Sequence, residues 1–258
     1  EVEDITPEAV EELKKTGYAF DIETTDLSIA NGRILGIAFS NHPSKAYHAE
    51  RNNLTEWVLA KELLEADCYK VAQGNSFDVP FLNADGIRIE NVDFDTQYAQ
   101  KLIDPDLPAT LAHIASLYTD QPYYKGQRDE LLAGKLSTRE RKEYCGRDAA
   151  VTWEVVPHLK AGLKEHDLEK VFYEIIMPSS RTANRMQIKG VKIDVSRRAE
   201  LEAEISKNVG EWRELFESYG YNIDSPVQLR ELLSKLGIRV ASTDKKHLER
   251  AYHRYMHP

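Results

Sequence analysis

A chain of 258 residues, 41% apolar and 30% charged, can bury one large core or two modest ones and has the make-up of a globular protein, not a disordered one. No apolar run approaches a membrane span, the amino-terminal EVEDITPEAVEELKK is acidic and amphipathic unlike a signal peptide, and two cysteines, Cys68 and Cys145, exclude a disulfide scaffold. A net charge of −9 argues against gripping long duplex DNA through its phosphates, which requires many neutralising cations, but it leaves room for a carboxylate-rich metal site. These features predict a cytoplasmic or otherwise intracellular protein that is not secreted, with reduced thiols. A first residue of Glu in place of Met hints at a fragment or a processed chain.

Thr6-Pro7-Glu8 predicts an N-cap with proline at the first helical position, opening a helix that stops at Gly17. Strands are predicted over 18–23, 34–40 and 46–49, with hairpin chemistry at Asn31-Gly32 between the first two. A helix over 54–66, a strand over 69–72 and helices over 95–102 and 110–118 follow, and one long helix over 137–164 closes this half. Beyond residue 166 the strands stop. Amphipathic helices over 168–188, 196–219, 226–236 and 247–255 succeed one another without a low-complexity linker.

Five side chains in three stretches carry the chemistry. In AFDIETTDL the alternation of a strand sends Asp21 and Glu23 to one face, and two unpaired acids on a strand otherwise apolar are costly to bury. Metal binding resolves that conflict, although a D-x-E pair also arises by accident. Asp78, in QGNSFDVPFL, falls at the first turn of a helix, where capping alone explains many aspartates. In YCGRDAAVT, Tyr144 and Asp148 stand four apart and share a helix face. Basic residues gather nearby at Lys125, Arg128, Lys135, Arg139, Arg141, Lys142 and Arg147, either as a solvated face or as a strand-guiding surface. The histidines form no zinc pattern, and Met177 and Met186 read as core packing.

The order D-x-E on a first strand, F-D after a later strand and Y-x-x-x-D on a following helix resembles the three exonuclease motifs of the DEDD superfamily, and the tyrosine matches its DEDDy branch. The resemblance implies an α/β, ribonuclease H-like mixed sheet flanked by helices over residues 1–166, followed by a smaller all-helical segment over 167–258. The later segment, from Glu174-Ile175-Ile176-Met177-Pro178 through Gly190-Val191-Lys192-Ile193-Asp194, is similar to the stretch that follows the proofreading domain in family A DNA polymerases. No palm or fingers motif follows, so polymerisation is not expected of this chain alone.

The resemblance implies a two-metal-ion 3′-5′ exonuclease that removes 5′-mononucleotides from DNA 3′ ends, acting on single-stranded DNA or a frayed primer end within a larger polymerase chain, with Mg²⁺ or Mn²⁺. On this reading Asp21, Glu23, Asp78 and Asp148 are the metal ligands and Tyr144 orients the attacking water. Thr24 and Leu27 contact the terminal nucleotide, joined by Asn75. Relatives usually carry that asparagine four residues before the aspartate, whereas here position 74 is Gly and Asn75 lies three before Asp78. Phe77 reads as core rather than as a stacking platform. A monomer without membrane association is expected. An RNA-trimming enzyme of the ribonuclease D type uses the same motif set, and a catalytically silent structural module of a polymerase is a third reading.

Overall fold

The structure is a computed structural model that describes residues 1–89, 91–122, 126 and 135–256. Compact packing divides the chain into one unit over Glu1–Gly190 and a second over Val191–Pro258. The sequence expectation ended the first unit at residue 166. The structure extends it because Phe172, Met177, Ser180 and Asn184 are buried against it.

Six strands form one mixed sheet in the order β1-β4-β3-β2-β5-β6. They are β1 (Val2–Asp4), β2 (Tyr18–Thr24), β3 (Ile34–His42), β4 (Lys45–Glu50), β5 (Lys70–Ala72) and β6 (Phe94–Asp95). β3 runs antiparallel to β2 and β4, while β1–β4, β2–β5 and β5–β6 are parallel pairs. The helices of this unit are α1 (Pro7–Thr16), α2 (Leu54–Glu65), α3 (Asn75–Ala84), α4 (Thr96–Ile103), α5 (Leu111–Tyr118), α6 (Thr138–Glu154), α7 (Val156–Glu165), α8 (Glu169–Val171) and α9 (Met177–Lys189). A π-helical segment, Phe172–Ile176, joins α8 to α9.

Strand alternation gives the sheet two unlike faces. Tyr18, Phe20, Ile22, Ile37 and Phe39 point to one side, where they join Leu13, Trp57, Leu63 and Leu64 in the main core. Opposite lie Ala19, Asp21 and Glu23 of β2, which pair with Ser40, Ala38 and Gly36 of β3. These residues are small or acidic. A helix packed here can approach closely, and α6 does so through Cys145 and Ala149 against Ala38. A Cβ on Gly146 would lie 2.5 Å from Val2 Cγ2 and 3.3 Å from Ala46 Cβ, so α6 has no room for a larger residue there.

Ion pairs fix the same helix in register. Arg141 grips Glu50 of β4 through both carboxylate oxygens at 3.0 and 3.1 Å, and Lys142 Nζ meets Asp4 of β1 at 2.7 Å. Of the basic group noted in the sequence, these two are structural clamps and Arg139 pairs with Glu143 of its own helix. Lys125 and Arg128 lie outside the described residues. His48 is fully buried on this face with neither ring nitrogen hydrogen-bonded, and burial, with Lys142 and Arg141 nearby, pushes its pKa down to about 3.

A Cβ on Gly36 would meet that ring at 2.6 Å and the Ala49 carbonyl at 3.0 Å. Gly36→Ala is therefore expected to destabilise the protein by roughly 1–3 kcal/mol. Urea denaturation checks this, and an unchanged midpoint would contradict the packing.

Several sequence expectations need correction. Val2–Asp4 and Phe94–Asp95 are strands, too short to show a period. The long helix breaks at Val155, where Pro157 can begin a helix but not continue one. Asn31-Gly32 is not a tight hairpin. The connection spans residues 25–33, and Gly32 is needed for space, since a Cβ there would lie 2.9 Å from Phe81 Cε1 and 2.8 Å from the Asp26 carbonyl. Met186 is 69% exposed, whereas Met177 is core.

The second unit comprises α10 (Val195–Ser218), α11 (Pro226–Lys235) and α12 (Lys245–Met256). Asp194 and Ser225 cap the first two by accepting from Arg197 and Gln228 backbone N–H groups. None of its described residues is buried.

Candidate active site

Asp21 and Glu23 sit near the end of β2, just before the pairing with β3 slips in register between Glu23 and Thr24. Such an irregularity re-aims side chains at a strand end. From the adjoining helix α6, Tyr144 and Asp148 project one turn apart. Asp78 comes from α3, whose first residue follows Gly74 in a left-handed conformation, φ 77°. The structure brings all five to one cavity of about 550 Å³, shared with Thr24, Leu27 and Phe77. Thr24, Asp78, Glu23, Tyr144 and Asp148 are all at most 9% exposed, while Leu27 stands at 60%. The Thr24 hydroxyl donates to the Asp26 carbonyl at 2.8 Å. Phe77 lies partly buried beside Phe81, centroids 4.9 Å apart, at once packing residue and cavity wall.

Asn75 departs from expectation. Its side-chain oxygen accepts from Ser180 Oγ at 2.9 Å and Asn184 Nδ2 at 2.7 Å, both on α9, so the amide ties two helices together away from the acids. Gly74 occupies the preceding position because the backbone there is left-handed and a Cβ would meet Gln97 Oε1 at 2.9 Å. Asp78 does not cap its helix either. It lies within the first turn, where the Ile22 N–H donates weakly to its Oδ1 at 3.4 Å.

The electrostatics invite cations. Burial pushes the Asp78 carboxyl up to about 7, reinforced by the negative charges of Asp95 and Asp148. One oxygen each of Asp21 and Glu23, together with Cys145 Sγ, lie within 4.8 Å of one another. Burial and the neighbouring acids push the Cys145 thiol well up, so it stays protonated and donates to the Asp21 carbonyl at 3.3 Å. What remains for a metal is a set of hard carboxylate oxygens, the donor type that Mg²⁺ and Mn²⁺ prefer. The residues present thus fit divalent cations of that class.

Asp95 was legible in the sequence only as a helix start. It is fully buried, caps α4 through the N–H groups of Gln97 and Tyr98, and also accepts from Gly74 at 3.1 Å and Asn75 at 2.7 Å. One carboxylate thereby fixes the starts of α3 and α4 and positions Asp78. Burial pushes its own pKa up to about 6.

A family model described as 3′-5′ exonuclease matches residues 2–164. The chain belongs to that family. DNA polymerase I of Borreliella burgdorferi is 26% identical over 264 residues, covering 92% of this chain and 28% of the polymerase. DNA polymerase I of Bacillus subtilis is 29% identical over 238 residues, covering 88% and 27%. This 3′-5′ exonuclease family member thus spans little more than a quarter of the length of those relatives. Among solved structures, the POL domain of Pol1 from M. smegmatis, in complex with DNA primer-template and dNTP, matches with a TM-score of 0.71 at 18% identity, over 100% of this chain and 46% of that one. Brucella melitensis NrnC with bound Mg²⁺ matches with a TM-score of 0.56 at 19% identity, over 75% and 96%. These two likenesses bear on fold, and they agree with a ribonuclease H-like α/β layer.

Proposed function

We propose that this chain is a two-metal-ion 3′-5′ exonuclease that releases 5′-mononucleotides from DNA ends, the proofreading portion of a family A DNA polymerase. The observation that carries the reading is the convergence of Asp21, Glu23, Asp78, Tyr144 and Asp148, from three separate elements, on one cavity. Asp21, Glu23 and Asp148 would hold one cation, and Asp21 with Asp78 the other. Bound there, divalent cations would neutralise the phosphodiester and lower the pKa of water.

The protein's own groups do the rest. Phenols are poor bases at neutral pH, so Tyr144 serves as a hydrogen-bond partner that orients the attacking water. Leu27, exposed at the rim, presses on the terminal base, and Thr24 contacts the same nucleotide from the cavity wall. Single strands can splay into such a cleft, whereas a duplex must first melt, so a mismatched terminus is favoured without sequence being read. The DNA assignment rests on the DNA polymerase I relatives, in which the matched segment is 28% and 27% of the chain.

Matched DNA and RNA oligonucleotides, with a paired and a mismatched primer, test the substrate. We expect faster loss of single-stranded and mismatched DNA ends in Mg²⁺ or Mn²⁺. Preferential RNA trimming would replace the reading with a ribonuclease D-like one, and no degradation of any substrate would leave a structural module. Tyr144→Phe is expected to lower kcat by roughly 10- to 100-fold with little change in KM, because positioning is lost and the ligands are kept. Single-turnover kinetics provide the check.

A further inference from the structure

A second cavity, of about 380 Å³, opens between α3 and α9 in the first unit. Arg181, Asn184, Arg185 and Ile188 line it at the spacing of one helix face, opposite Asn75, Val79 and Asn83 of α3. Arg88 and Lys189 bring its cations to four, and no carboxylate among the described residues lines it. That concentration of positive charge stands out in a chain of net charge −9. None of the four cations has an ion-pair partner among the described residues.

Two buried polar atoms there lack partners. Arg181 Nε is a donor without an acceptor, and Asn184 Oδ1 is an acceptor without a donor, although Asn184 is only 6% exposed and its Nδ2 is spent on Asn75. A buried polar atom left without a partner is costly, and a ligand that pairs it recovers that cost. A ligand that satisfies both carries an acceptor oxygen and a hydrogen-bond donor, and the four cations around them favour an anionic oxygen. The walls between them, from Val79, Ile89, Val92 and Ile188, are apolar.

We propose that this cavity binds a mononucleotide, with its phosphate on Arg181, Arg185 and Arg88 and the amino edge of its base on Asn184. Guanidinium groups match phosphate geometry in pairs, and the volume lies in the range of small-molecule sites. The site is separate from the acids of the exonuclease cleft and does not depend on their activity. Inorganic phosphate offers the same oxygens but no base, and a nucleic-acid strand presents its internal phosphates as diesters with a single charge instead of a free monoester.

Calorimetric titration of the whole chain with dAMP, inorganic phosphate and a single-stranded oligonucleotide, in EDTA to keep metal-borne nucleotide out of the acid cleft, separates these sources. We expect dAMP to bind at least tenfold more tightly than phosphate. The Arg181→Gln/Arg185→Gln variant should weaken it at least tenfold, and Arg181→Lys/Arg185→Lys should restore part of the loss. Arg88→Gln, on an exposed position, gives a second reading should the double variant fold poorly. Equal affinity for phosphate and dAMP, wild-type affinity in the variants, binding of the oligonucleotide alone, or no binding at all would each overturn the assignment.

Discussion

Asp78→Asn is expected to lower the rate of nucleotide release by roughly 10²–10³-fold and, at about pH 8 without metal, to raise the melting temperature. Both effects follow from one burial. The carboxyl is 4% exposed, its pKa is pushed up to about 7, and at pH 8 it is held ionised against desolvation and against Asp95 and Asp148. Relative to its ordinary value of 3.8, that ionisation costs the folded state on the order of 2–4 kcal/mol. Asparagine removes the charge but brings an amide with hydrogens to satisfy, which takes back about 1–3 kcal/mol. The net gain of about 1 kcal/mol should appear as a rise of roughly 2–4 °C. At pH 5, where the native carboxyl is already neutral, the gain should vanish. Calorimetric melting at both values, beside oligonucleotide hydrolysis, decides it. An asparagine variant that cuts DNA at the parent rate would remove Asp78 from the chemistry. Stability held back at a site in exchange for activity is a familiar arrangement.

The residues that make this site legible in sequence are those whose spacing equals a structural period. Asp21 and Glu23 share a face because strands repeat every two residues, and Tyr144 and Asp148 stack because helices return after nearly four. Asp78 was harder, since a carboxylate near a helix start has a capping explanation, and only its burial separates the two. The approach of α6 was written in Gly36, Ala38, Gly146 and Ala149, small residues whose meaning depends on β2, β3 and the helix being layered together.

What sequence missed was set by pairing over distance. β1 and β6 are strands only because β4 and β5 lie alongside them. Asn75 turned toward α9 because Ser180 and Asn184 were there to donate, a fact more than a hundred residues away in the chain. Asp95 likewise reads as an ordinary cap until Gly74 and Asn75 are seen to share it.

Melting of the metal-free protein is expected to fall as pH rises from about 6 to 8, and saturating Mg²⁺ or Mn²⁺ to offset the fall. Asp78 and Asp95 have folded pKa values of about 7 and about 6, above the ordinary 3.8, so the folded state binds more protons than the unfolded chain between those limits and loses stability as pH climbs. His48 acts in the opposite sense. Its folded value of about 3 lies below the ordinary 6.5, so stability from that ring is complete above 6.5 and is lost as pH drops toward 3. Between pH 6 and about 7.5 the ring is still partly protonated in the unfolded chain and neutral in the folded one, so His48 offsets part of the fall, and above that range the acids set the slope. A carboxyl with a pKa near 7 contributes about 1 kcal/mol of loss between pH 6 and 8, or roughly 2–4 °C. Cations compete with those protons for the same oxygens, so their stabilisation should be larger at pH 8 than at pH 6, and each binding event near neutrality should release protons. Asp78→Asn should flatten both trends while leaving the acid-side loss from His48 in place. Scanning calorimetry across this range, with EDTA and then with metal, measures all three. A melting temperature that climbs from pH 6 to 8 in EDTA would mean that Asp78 is not held in a crowded, desolvated cluster.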